Sequence, residues 1–145
     1  PTAISRLLDL KMPAHLIKAT LNGVMAQRLV RTLCPDCRSE VDCDREAWHE
    51  MVGSAEMAPP VKVYQPDGCL ECRNTGYLGR EGIYEIMPLT NALLTYINSE
   101  SDIQEIRQAA ISQGMKTLRM AGAEKVAAGI TSMEEVLRVT PELGR

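Results

Sequence analysis

The sequence predicts an α+β protein. Three observations carry that expectation. Apolar residues recur at helical spacing at both ends of the chain, the stretches 24–33 and 79–87 read as strands, and two Cys-x-x-Cys turns lie between those strands. A chain of 145 residues is one ordinary domain or two small ones, and 45% hydrophobic with 24% charged residues is a normal globular balance. With no Phe and one Trp, the core must be built from Leu, Ile, Val, Met and Ala.

Residues 2–10 place Ile4, Leu7 and Leu8 on one helical face, and Met12-Pro13 breaks that helix because proline pushes its predecessor out of helical backbone angles. A second helix after Pro13 turns Leu16, Ile17, Leu21 and Val24 inward. The strand 24–33 mixes Gln27, Arg28 and Arg31 with Leu29, Val30 and Leu33. Residues 44–53 predict a short helix capped by Asp44 with Ala47, Trp48 and Met51 inward, and "EMAPPVKVY" predicts extended chain through two prolines. After the strand 79–87 the rest reads as helix. Thr90 caps the first of these helices. A second places Ile103, Ile106, Ala110 and Ile111 on one face and stops at Gly114, and a third runs from Met115 to Gly129. The last opens with Thr131 three residues before Glu134, a capping box, and halts at Pro141.

The pairs Cys34/Cys37 and Cys69/Cys72 have the spacing of a tetrahedral four-thiolate site, which suits a structural Zn2+ ion. The 31 residues between the pairs exceed the common ribbon spacing of roughly 15–20. That is tolerable, since each doubling of a loop costs only about 0.6 kcal/mol in closure entropy. Arg38 and Arg73 directly follow the second cysteine of each pair and would offset the negative charge of such a site. Free buried thiols or a redox couple are the other readings; a thioredoxin-like motif would occur once, in a βαβ setting, and neither feature is present. Cys43 and His49 are possible substitute ligands, or simply a spare thiol and a surface histidine; His15 carries no chemistry of its own.

A net charge of −3 disfavours non-specific polyanion binding. There is no phosphate-binding loop, no dinucleotide fingerprint and no Ser/His/Asp or Cys/His arrangement. No apolar run approaches the 18 residues of a membrane span and no signal peptide opens the chain, so the expectation is a soluble, cytoplasmic protein whose cysteines are not structural disulfides.

The segments "LNGVMAQRLVRTLCPDC", "GCLECRNTGYLGREGIYEIM" and "GMKTLRMAGAEKVAAGITSMEEVLRVT" closely resemble the C-terminal part of the secretion ATPases that drive bacterial type II secretion and type IV pilus assembly, in the branch that carries the four cysteines. The resemblance runs from about Thr2 to Thr140. It implies the end of a RecA-like motor domain (residues 1–33), a tetracysteine zinc module inserted between two strands (34–78), a returning strand (79–89) and a C-terminal helical subdomain (90–145). It also implies a hexameric parent that uses ATP and Mg2+. The motor's phosphate loop lies upstream of this stretch, so the stretch alone would not hydrolyse ATP. The implied partners are the inner-membrane platform protein and other copies of the ATPase, with a location peripheral to the inner membrane. If 24–33 and 79–88 are neighbours, zinc clamps the neck of an insertion and residues 38–68 project as a lobe. Trp48, Met51, Met57 and Tyr64 are then either partner anchors or, for Trp48, the lobe's own core. Arg28 and Arg31 read either as nucleotide- or subunit-facing residues or as salt-bridge partners of Glu81 or Glu85. A zinc-ribbon nucleic-acid-binding module is the alternative, opposed by the lack of a basic stripe with interleaved aromatics. A chaperone-type zinc module is opposed by Asn74, where that pattern needs glycine, and by the lack of four repeats.

Overall fold

Helices α1 (Thr2–Asp9) and α2 (Ala14–Thr20) precede strand β1 (Gly23–Leu33). Strand β2 (Arg38–Asp42), helix α3 (Arg45–Val52) and strand β3 (Lys62–Pro66) follow. The chain continues through strand β4 (Tyr77–Pro88) and helices α4 (Asn91–Leu94), α5 (Ile103–Ser112), α6 (Leu118–Ala127) and α7 (Met133–Val139). These elements belong to a computed structural model that describes residues 1–53, 57–98 and 100–141. The α+β expectation holds, with two small two-stranded sheets among the described residues.

Strands β1 and β4 are neighbours, as their sequences predicted. Gln27 Nε2 donates to the Tyr84 hydroxyl at 3.3 Å, and Thr32 Oγ1 donates to the Leu78 carbonyl, so the two strands run in opposite directions. The second sheet pairs β2 with β3, antiparallel, from Arg38↔Pro66 to Asp42↔Lys62. The sequence reading missed β2: in "RSEVD" only Val41 is apolar, so no alternation marks it as a strand.

The chain gathers into two compact units. One comprises residues 1–26 and 85–117, the other 27–84 and 118–145. The first is built on an apolar cluster of Ile4, Ile17, Met87, Leu93, Ile97, Ile106, Ala110 and Met115. Its helix starts are fixed locally: Thr90 accepts from the Leu93 amide and Asp102 from the Gln104 amide. Leu16 and Ile111, expected inward, lie on exposed sides of α2 and α5.

In the second unit α3 packs on α6 and α7, and β3 packs on α6. Asp44 caps α3 as expected, accepting from the Glu46 and Ala47 amides. Trp48 is 1% exposed, and its indole Nε1 donates to the Met57 carbonyl at 3.0 Å. Met51, Val52, Val63, Val126 and Val136 are buried in the same unit. Trp48 is therefore core, and neither it nor Met51 is a partner anchor. The insertion folds back on α6 and α7 because an indole and a Met side chain gain more from burial there than from exposure on a projecting tip. The expected tip includes residues 54–56, which lie outside the described residues. Where α6 meets α7 the Val136 side chain packs onto the Gly122 backbone: a Cβ at Gly122 would stand 2.4 Å from Val136 Cγ1.

The last helix starts one residue later than its capping box suggested. Ser132, not Thr131, accepts from the Glu135 amide, while buried Thr131 donates its hydroxyl to the Arg31 carbonyl at 2.8 Å. Glu135 has no exposed side-chain surface. It takes the Arg31 amide at 3.0 Å, the Arg31 guanidinium at 2.7 Å and the Arg138 guanidinium at 2.7 Å. Arg31 thus pairs with Glu135 rather than with Glu81, and Glu81 pairs with Lys125. Burial works against the ionised Glu135 carboxylate, but its bonds to Arg138 and Arg31 outweigh burial and hold the group at about 2.

Two outcomes follow from this packing. Trp48→Ala is expected to lower stability in urea unfolding by about 3–5 kcal/mol, the usual cost of emptying a buried aromatic site, whereas exposed Val61→Ala is expected to change it by less than about 0.5 kcal/mol. Glu135 has a depressed pKa, so its contribution is complete above the ordinary carboxyl value of 4.5 and fades as pH falls toward 2. Glu135→Gln is expected to cost about 3 kcal/mol at pH 7, the low end of what breaking a buried ion pair costs, because Arg31 keeps contact with solvent. The variant should also lose less stability than the parent between pH 4.5 and pH 2, as followed by urea midpoints across that range.

Candidate metal centre

The two Cys-x-x-Cys turns sit where the chain leaves β1 and where it re-enters β4. Cys34 follows the last residue of β1, and its amide donates to the Gly76 carbonyl at 2.9 Å, tying the outgoing strand to the returning one. Pro35 occupies a turn position that needs no amide donor. Beyond it, the amides of Cys37 and Arg38 bond back to the Cys34 carbonyl, curling the turn around its two sulfurs. In the second turn the Asn74 amide donates to the Cys69 carbonyl at 2.7 Å. Arg73 and Asn74 both take left-handed backbone angles, with φ of 54° and 60°. Asn adopts that region readily, which explains how the turn closes without a glycine there.

The result is a cluster in which the Sγ atoms of Cys34, Cys37, Cys69 and Cys72 all lie within 4.8 Å of one another. Cys34···Cys69 and Cys37···Cys72 are each 3.8 Å, and Cys69···Cys72 is 3.7 Å. A tetrahedron with Zn–S bonds of about 2.3 Å has edges of about 3.8 Å. Three edges of this cluster therefore match a zinc tetrahedron. The same separations exclude disulfides, whose sulfurs stand about 2.05 Å apart. The donor set and spacing fit a divalent metal of zinc's size and softness.

The four thiols do not share one electrostatic setting. Burial pushes the Cys34 thiol up, and Cys37 up to about 12. Burial acts in the same sense on Cys72, but backbone amides facing its sulfur outweigh it and bring that thiol down to about 6. The amides of Cys69 and Gly76 stand 3.2 and 3.1 Å from the Cys72 sulfur, and the Gly68 amide stands 3.3 Å from the Cys37 sulfur.

The other residues singled out from sequence fall elsewhere. Cys43 follows the far end of β2, bonded to Val61, about 16 Å along the strand from Arg38 at ~3.3 Å per residue. His49 is exposed on α3, and His15 is exposed on α2. Arg38 does not offset the charge of the sulfurs: its guanidinium donates to the Gly129 carbonyl at 2.5 Å and lies over the Tyr64 ring. Arg28 donates to the Gln27 carbonyl.

The class this defines is a small α+β chain with four cysteines close enough to hold a metal ion at the neck of a strand insertion. Sequence comparison narrows it. The profile of the Type II/IV secretion system protein family matches residues 1–138, and the chain belongs to that family. It is 47% identical over 141 residues to the type IV pilus assembly ATPase TfpB of Acinetobacter baylyi, covering 97% of this chain and 24% of the relative. It is 41% identical over 140 residues to the type II secretion system ATPase E of Vibrio cholerae, covering 97% and 27%. It is 36% identical over 138 residues to the type IV pilus assembly ATPase PilB of Myxococcus xanthus, covering 94% and 24%. The chain thus spans about a quarter of the length of the curated relatives it matches. Among the described residues, no helix is long and apolar enough to cross a membrane.

Thiols must lose their protons to bind a metal, so uptake is coupled to pH. The apparent affinity, measured by competition with a chromophoric chelator, is expected to fall steeply as pH is lowered from about 8 to about 6. An affinity indifferent to pH over that range would show that the thiols are not the ligands.

Proposed function

We propose that this chain is the C-terminal portion of a hexameric ATPase that powers type II protein secretion or type IV pilus assembly, and that Cys34, Cys37, Cys69 and Cys72 hold a structural zinc ion in it. The observation that carries the reading is the coincidence of a family match over residues 1–138 with four sulfurs at tetrahedral spacing. Zinc held by four thiolates has no open coordination position, so it supplies cross-linking rather than catalysis. It would join the Cys34–Cys37 turn to the Cys69–Cys72 turn and close the neck of the module spanning residues 34–78.

In this reading ATP and Mg2+ belong to the full-length parent, because these residues include no phosphate-binding loop. The stretch contributes the end of the RecA-like motor, the zinc module and the terminal helices. Its partners are other copies of the ATPase and the cytoplasmic part of the inner-membrane platform protein, which would place it at the cytoplasmic face of that membrane. A net charge of −3 supports a protein partner over nucleic acid.

The test has three readouts. Chain purified without added metal should carry one zinc, and a Cys34→Ser, Cys69→Ser double variant should lose both the zinc and much of its thermal stability. The metal-loaded chain should show no ATP turnover and should bind the platform protein's cytoplasmic domain in calorimetry. A well-folded chain without metal would overturn the zinc assignment. Salt-dependent binding to a random duplex, with none to the platform domain, would overturn the functional one.

A further inference from the structure

We propose that metal occupancy of the four-cysteine centre is transmitted to the turn between α6 and α7 through Arg38 and Tyr64, which makes Arg38 a positioning residue for that turn. The inference rests on the reading of the cysteines as a metal site, and goes beyond it by naming what the metal holds in place outside its own module.

The chain of contacts is short. Arg38 directly follows Cys37, and its amide bonds to the Cys34 carbonyl, so the first cysteine turn fixes its backbone. Arg38 is also the first residue of β2, paired with Pro66, and Pro66 is two residues before Gly68, whose amide faces the Cys37 sulfur. The base of the β2–β3 hairpin is thus held on both strands by the sulfur cluster. From that base Arg38, and from the middle of β3 Tyr64, reach Gly129 just past the end of α6. The Arg38 guanidinium lies 4.7 Å from the centre of the Tyr64 ring and donates to the Gly129 carbonyl at 2.5 Å. The Tyr64 ring covers the backbone of Gly129 so closely that a Cβ there would stand 3.0 Å from Cδ2 and Cε2. Gly129 is buried with φ +71°, a conformation that suits glycine and ends α6. Its carbonyl takes a charged donor from the hairpin, the strong class of hydrogen bond.

The turn is also held from β1, by the Leu33 amide on the Ile130 carbonyl and the Thr131 hydroxyl on the Arg31 carbonyl. Those bonds precede the cysteines and do not pass through the metal. Two anchors therefore grip one turn, one built into a continuous strand and one conditional on the cysteine centre. A two-stranded hairpin with five residues per strand is marginal on its own. When its base is released, the Arg38–Tyr64 grip on Gly129 is the contact that loosens.

Amide hydrogen exchange on the whole chain, with bound metal measured by native mass spectrometry, tests this. The reporters are the amides of Ala128, Gly129 and Ile130, which close α6 on the carbonyls of Glu124, Val126 and Lys125. Removing the metal with a chelator is expected to speed exchange across 128–132 and 62–66 by roughly tenfold, the scale set by one lost charge-assisted bond, and to leave α5 unchanged. Metal-loaded Arg38→Gln should keep one metal per chain and already show the faster exchange at 128–132. Chelation should add nothing further there. If the wild type binds one metal but exchange at 128–132 ignores both chelation and Arg38→Gln, this proposal fails and the metal site stands. If chelation unfolds the whole chain, metal-loaded Arg38→Gln decides alone: an unchanged turn overturns the proposal. If the folded wild type binds no metal, the metal assignment fails and takes this proposal with it.

Discussion

Four sulfurs drawn from two turns about 30 residues apart come within 4.8 Å of one another, and the second unit is arranged around that meeting. The geometry follows from the strands. Because β1 and β4 are antiparallel neighbours, the end of one lies beside the start of the other, and the Cys34 amide reaches the Gly76 carbonyl across the gap. Anything inserted between them must leave and return through this neck. A cross-link there converts a long flexible connection into a short rigid one, at a closure cost that grows only logarithmically with the length of the insertion.

What the insertion does with that freedom is set by hydrophobic burial. A strand pair with five residues per strand and a two-turn helix cannot make a core alone. They fold back instead, placing Trp48, Met51 and Val52 with α6 and α7. The Trp48 indole finds the Met57 carbonyl, so its one polar atom is satisfied in the interior. Charge then fixes the position of α7. Glu135, fully buried, receives two arginines and a backbone amide, and this one carboxylate joins the last helix to β1.

Much of this was legible in the residues. The cysteine spacing named all four members of the cluster, the strand pattern found β1 and β4, and Asp44 and Thr90 marked helix starts where the structure has them. The failures share a cause: they depend on partners remote in sequence. Arg31 and Glu135 are 104 residues apart, so cross-strand logic offers Arg31 only Glu81 or Glu85 as ion-pair partners. The cap falls on Ser132 rather than on Thr131, whose hydroxyl is directed at the Arg31 carbonyl of β1. Strand β2 carries no alternation of its own and exists because β3 and the cysteine turn hold it.

The arginines beside the cysteines show how a chemically sound expectation can be met by other atoms. Four thiolates around a divalent cation leave a net charge of about −2, and that charge needs local compensation. Sequence pointed to Arg38 and Arg73 for it. The structure spends Arg38 on the Gly129 carbonyl, and backbone amides face the sulfurs: Gly68 to Cys37, and Cys69 and Gly76 to Cys72. Amides are the better solution at this neck. They are fixed by the turns themselves and need no long side chain to be immobilised, which for arginine costs up to about 2 kcal/mol in rotamer entropy. A guanidinium released from that task is free to hold something else. The residue that follows the second cysteine therefore ties the hairpin base to the Gly129 carbonyl rather than facing the sulfurs.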